Sequence, residues 1–168
     1  HIETPMDPLG LAQAGIEGRR QVDALLELFR QELPAAFAHA RVATYGQPGI
    51  RQTRTISGRS SISVADVRNG LRPADAVARC SWPIELHTNI ADAHWDVFDD
   101  EHMHYVPLGA MTPVGLDNVA VAGRCIDAEP AALASVRVMG ACFAMGKAAA
   151  SAVSRAGSGS VHQLDISA

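Results

Sequence analysis

The chain has 168 residues, 48% of them hydrophobic and 19% charged, with a formal net charge of -4. That balance suits an ordinary globular domain with its own core and excludes general disorder. It also argues against a nucleic-acid partner, because the fourteen basic residues are spread along the chain with no dense block.

The opening residues, "HIETPMDPLG", carry no initiator methionine and, up to residue 15, read as an irregular lead-in. From Ile16 to about Phe37 the pattern changes. Val22, Leu25, Leu26, Phe29 and Leu33 recur at helical spacing between charged residues, which predicts an amphipathic helix with one buried face, ended or kinked by Pro34. The turn "GQPG" at 46–49 leads into "IRQTRTISG", read as a strand that Gly58 breaks. Ser63 and Asp66 have capping-box spacing for a short helix that ends at Asn69-Gly70. An edge strand is expected at Ile84–His87, after Pro83. Residues 91–104, "ADAHWDVFDDEHMH", are acidic and His-rich, and "YVPLGAMTPVG" reads as a strand interrupted by prolines.

Three cysteines, Cys80, Cys125 and Cys142, show no CxxC spacing, which argues against a disulfide scaffold and fits a reducing compartment. No apolar run has the length of a membrane span, and no signal-peptide pattern opens the chain. The expectation is a cytoplasmic protein without a membrane or nucleic-acid partner. The end, "VHQLDISA", is an alternation that stops as an element begins, so a piece of a longer chain is expected.

The most informative stretch is "LDNVAVAGRC" at 116–125, followed by "AALASVRVMGACFAMGKAAASA". Val119 to Ala122 reads as a central strand covered on both faces. Gly123 ends it with no Cβ to keep a ligand away from the backbone. Between Pro130 and Gly157 a helix is expected, thin on one side through Ala134, Gly140, Ala141, Gly146, Ala148 and Ala152. Its first amides and dipole favour an anion. Small residues also serve plain helix contacts, so the pattern alone leaves both readings open.

Three blocks, "GIRQTRTISG" with "SVADVRNG", "WPIELH", and "YVPLGAMTPVGLDNVAVAGRCIDAEPAALASVRVMGACFAMGKAAASA", resemble the C-terminal part of the FAD-dependent oxidoreductases with two dinucleotide-binding domains, distant relatives of the succinate dehydrogenase and fumarate reductase flavoproteins. The resemblance implies an α/β fold. Residues 1–104 would be the returning part of an inserted substrate domain with its amphipathic helix, and 105–168 the C-terminal strand-loop-helix of a discontinuous, Rossmann-like FAD-binding domain. It implies FAD as cofactor, with Ala122, Gly123, Arg124 and Cys125 beside the flavin or its ribityl-pyrophosphate tail and Ser135, Val136 and Arg137 near the isoalloxazine edge at the helix start. Arg51 and Arg54 would serve a substrate carboxylate or developing oxyanion, and His102 or His104 would act as acid or base near the substrate.

Two departures qualify the resemblance. No GxGxxG occurs anywhere in the chain, so the nucleotide-binding half would come from the same parent chain or from a second subunit. Lys147 also stands where such proteins usually have a neutral amide. The implied activity is two-electron oxidation or reduction of a small organic substrate. The alternative is a noncatalytic partner that keeps a flavoprotein-like scaffold and binds no flavin alone. No metal is expected from the acidic, His-rich stretch, which lacks ligand spacing, and neither a hydrolase elbow nor a P-loop is present. His87 is open between a ligand contact and an ordinary strand position, Cys125 between approach to a flavin and plain packing, and Trp82 and Trp95 read as core or interface anchors.

Overall fold

The computed structural model describes residues 7–87 and 93–164, without the side chains of His87 and Ala93. The expectations for residues 1–6, 91–92 and 165–168, and for the His87 side chain, lie outside the described residues. The backbone forms two compact units, His1–Arg51 and Gln52–Ala168.

In the first unit the helix starts earlier than its periodicity suggests. Asp7 accepts from the Gly10 amide at 2.9 Å and Pro8 takes the first helical position, so the lead-in is already helical and α1 runs Pro8–Glu32. Proline restricts the residue before it, and Leu33 leaves the helical region (φ -131°, ψ 53°) ahead of Pro34, which opens the short α2, Pro34–Phe37. Phe37 folds back on Phe29 with ring centroids 4.9 Å apart, and Arg30 Nη2 donates to the Ala40 carbonyl at 2.6 Å. Among the described residues, the buried apolar face expected of this helix is not realised within the first unit: only Gly10 and Ala14 are buried in α1, and Ile16, Val22, Leu25 and Leu28 are exposed.

The second unit is mixed α/β. Strand β1 (Ala76–Cys80) pairs antiparallel with β4 (His104–Pro107), and β2 (Ile84–His87) with β3 (Ala93–Asp96). Helix α3 (Val64–Arg68) carries the full capping box, the Ser63 hydroxyl accepting from the Asp66 amide and the Asp66 carboxylate from the Ser63 amide. A 3-10 turn at Leu108–Met111 follows β4, and then come α4 (Pro130–Val136) and α5 (Met139–Ala156). Ile62, Val67, Val106, Met111, Ile126, Val136 and Met145 are fully or almost fully buried and form the core on which both helices rest. Each such side chain contributes roughly 1.5–3 kcal/mol of burial.

Three sequence expectations fail, each for a physical reason. Residues 119–122 are not a strand: among the described residues their backbone pairing is one bond, Val121 N–H to Met111 O at 2.8 Å, and a central strand needs a ladder on both edges. The segment before Gly58 is likewise irregular, with Ile56 N–H bonded to Cys125 O at 2.9 Å and Gly58 bridging to Pro113. The single helix expected between Pro130 and Gly157 is two helices bent by 89°. No single helix among the described residues is long and apolar enough to cross a membrane.

Gly58 is a tight backbone crossing in this unit. A Cβ there would meet Ser60 O at 2.7 Å, Asp127 Cβ at 2.8 Å and Gly109 O at 3.0 Å, while the Gly58 amide donates to Asp127 Oδ2 at 2.7 Å. Gly58→Ala should therefore destabilise the unit by about 2 kcal/mol, more than the ~1 kcal/mol expected for Ser63→Ala at the cap. Urea unfolding of the two variants checks the order; equal midpoints for Gly58→Ala and wild type contradict it.

Candidate functional site

The turn at 122–125 is built around Gly123, whose φ of +86° is a conformation that side chains with a Cβ adopt only under strain. A Cβ there would lie 3.7 Å from Cys142 Sγ, so the turn rests on the first turns of α5. Arg124 stands exposed at its tip, and Cys125 is half-buried with its thiol donating to Ala122 O at 3.6 Å. The Cys142 thiol donates to Arg137 O at 3.3 Å. Burial pushes Cys142 above the usual thiol range, with Arg124 pulling it partly back. Burial raises Cys80 as well, so neither of these two thiols is an activated nucleophile.

Between α4 and α5 the chain turns at Arg137 and Val138. Val138 has no side-chain oxygen, and no side chain caps the start of α5. An 18-residue helix therefore presents its first amides and positive dipole end uncapped. The alanines and glycines that looked like one thin face divide: Ala141, Met145 and Ala152 pack on the core, while Gly140 and Gly146 face outward with nothing within 4 Å of an added Cβ. Beside them Met139 is 79% exposed and Phe143 77%. The result is an apolar, glycine-lined face at the positive end of a helix, bordered by Arg124 and Lys147.

A polar chain, buried at its centre, links the start of β4 to the end of α4. His104, 1% exposed at the head of β4, has Nε2 at 2.8 Å from Ser135 Oγ and Nδ1 at 3.3 Å from His102 Nε2. Ser135 Oγ also donates to the Trp82 carbonyl at 2.6 Å. Phe98 lies against His102, ring centroids 4.1 Å apart. Burial first, and His102 second, lower the His104 pKa to about 4.

The residues singled out from the sequence fall into separate groups. Ala122, Gly123, Arg124 and Cys125 form one turn. Ser135 and Val136 are not at the start of the long helix as expected: they close α4 and are buried, Arg137 caps it, and its Nη2 lies 3.5 Å from Glu85 O. His102 and His104 do meet, but His104 is committed to Ser135. Arg51 is exposed at the end of the first unit. Arg54 is exposed in the second, two residues after Gln52, whose amide donates to Pro130 O at the head of α4 at 2.6 Å. Trp82, just before β2, and Trp95, in β3, anticipated as core or interface anchors, are 43% and 45% exposed with centroids 6.4 Å apart. Met139 and Phe143, one turn apart on α5 and both exposed, were not singled out. Among the described residues no group of three or more His, Cys, Asp or Glu is arranged to hold a metal ion.

The geometry fits one side of a planar group with a developing negative charge: open glycines for close approach, apolar cover, uncapped amides and an arginine. It offers no phosphate cradle of the GxGxxG kind. The family model described as FAD dependent oxidoreductase matches residues 2–168. No curated protein and no solved structure matches the chain.

The His104 environment has a measurable consequence. An unfolded histidine binds its proton near 6.5, whereas the folded site binds it only near 4. Stability is therefore fully present above about pH 6.5 and declines as pH falls toward 4, by roughly 2–3 kcal/mol at pH ~4.5. Urea unfolding at pH ~7.5 and ~4.5 should show a smaller acid loss in His104→Gln than in wild type. Equal acid losses in the two proteins contradict the assignment.

Proposed function

The chain belongs to the FAD-dependent oxidoreductase family, and from that premise we propose that it completes the flavin site of such an enzyme, one that oxidises or reduces a small organic substrate by two electrons. The observation that carries the reading is the uncapped, glycine-lined face of α5 beside the Gly123-Arg124 turn. Residues 105–168 would belong to the FAD-binding domain and residues 1–104 to the substrate domain. The nucleotide-binding half would be supplied by the same parent chain or by a second subunit. The activity would reside in the cytoplasm.

When bound, the flavin supplies the two-electron chemistry. The residues of this chain would bind, orient and shield. Arg124 would pair with the anionic tail through its fixed fork of donors. The amides at Met139, Gly140 and Ala141 would face negative charge developing at the ring edge, a favourable term of roughly 0.3–2 kcal/mol for a helix terminus. Met139 and Phe143 would exclude water from the ring, and Gly140 and Gly146 would let it approach the helix backbone. Cys125 would pack beside the turn.

On the substrate side, Arg51 and Arg54 would hold a carboxylate. His102 rather than His104 would exchange a proton, because the Nε2 of His102 is engaged by His104 and its Nδ1 remains to accept one. His104, Ser135, Val136 and Arg137 would support this wall from behind.

The test is co-expression of this chain with a dinucleotide-binding half, gel filtration of the complex and a visible spectrum of the eluted peak. Flavin bands in the joint peak are the expected result; a joint peak without them favours a noncatalytic partner domain. Arg124→Ala should weaken FAD roughly tenfold, the scale of one hydrogen bond to a charged group. Gly146→Ala makes a sharper pair of outcomes. It should stabilise the chain alone by about 0.5–1 kcal/mol through helix propensity while weakening FAD in the complex. Unchanged FAD affinity in both variants would remove this face from the flavin site.

A further inference from the structure

Proton accounting in the buried polar chain goes further than its distances. The Trp82 carbonyl can only accept, so the single Ser135 hydroxyl proton is spent on it, 2.6 Å away. The contact between Ser135 Oγ and His104 Nε2, at 2.8 Å, must then be filled by a proton on Nε2. A neutral His104 protonated there has a lone pair on Nδ1, so His102 Nε2, 3.3 Å away, is the donor to it. Every polar atom in the chain from His102 to Trp82 has one role, and reversing any of them leaves two donors or two acceptors face to face.

The same few residues join three distant segments. His104 heads β4, Trp82 lies just before β2, and Ser135 sits in the last turn of α4. The Ser135 carbonyl also accepts from Cys80 Sγ at 3.6 Å, at the end of β1. Immediately beyond this fixed turn the chain bends by 89° and begins α5. Apolar packing alone would hold α4 against the core with no preferred rotation, whereas a hydroxyl bonded to both a carbonyl and an imidazole fixes the direction in which the turn ends.

We infer that Ser135 and His104 are positioning residues for the flavin face: their hydrogen bond sets the α4–α5 bend, and with it Arg137 and the opening turn of α5. The inference rests on the flavin reading above. Removing the hydroxyl leaves His104 Nε2–H and the Trp82 carbonyl without partners, and the end of α4 must rotate to relieve them.

Nitrogen-15 NMR of the histidines in this chain at neutral pH tests the proton accounting without any cofactor. His104 protonated on Nε2 alone is expected, and a proton on Nδ1 overturns it. In the complex assembled with the nucleotide-binding half, Ser135→Ala and His104→Leu should each weaken FAD roughly tenfold and shift the bands of the bound flavin, as expected when a buried hydrogen bond is broken beside the site. His104→Gln, whose side-chain amide keeps a donor toward Ser135, should stay near wild type. If Ser135→Ala does not fold, the contrast between His104→Leu and His104→Gln decides alone. Lower melting temperatures with FAD affinity and bands unchanged reduce the pair to packing and overturn the positioning role. A wild-type complex with no flavin bands overturns the flavin reading itself, and the positioning role with it.

Discussion

A long helix that begins without a capping side chain is the constraint on which the second unit turns. The α4–α5 bend brings the start of α5 next to the Gly123 turn, and Cys142 Sγ would lie 3.7 Å from a Cβ on Gly123. Helix amides left uncapped at a surface are satisfied by water or by a ligand, and here the flanking side chains favour a ligand. Gly140 and Gly146 remove bulk, Met139 and Phe143 repel water, and Arg124 supplies charge. Each choice is unfavourable for an ordinary solvent-facing helix, where glycine costs propensity and exposed phenylalanine costs solubility. On the reading proposed above they form one wall of the flavin site.

What holds that wall is polar rather than greasy. The alanine side of α5 contributes close packing on Met111, Ile126 and their neighbours, but alanines interdigitate weakly and leave helix rotation loosely defined. Direction comes from the buried hydrogen bonds that end α4. Burial keeps His104 neutral at neutral pH, so the network holds one protonation state there. His102, half-buried, stands at the outer end of the network.

Local signals were legible in the sequence and long-range ones were not. The Ser63 capping box, the edge strand Ile84–His87, the stop at Pro34 and the Gly123 turn are each set by a few adjacent residues, and each forms. The strand expected at 119–122 and the one before Gly58 depend on neighbouring strands to complete their ladders, and apolar composition cannot say whether a partner is present. The amphipathic face of α1 likewise announces burial but not what does the burying. The bend after Val136 was invisible because Arg137 and Val138 are unremarkable helix residues, so Ser135 was placed at a helix start when it sits at a helix end. The pairing of His104 with Ser135, 31 residues apart, had no sequence signal beyond the presence of both types.

Hydrogen–deuterium exchange of this chain, with and without FAD and the nucleotide-binding half, tests the central claim most directly. Slower exchange at Gly123–Cys125 and at Met139–Phe143, with the far end of α5 unchanged, is the result this account predicts. Slower exchange confined to other segments, with those two stretches as fast as in the chain alone, would contradict it.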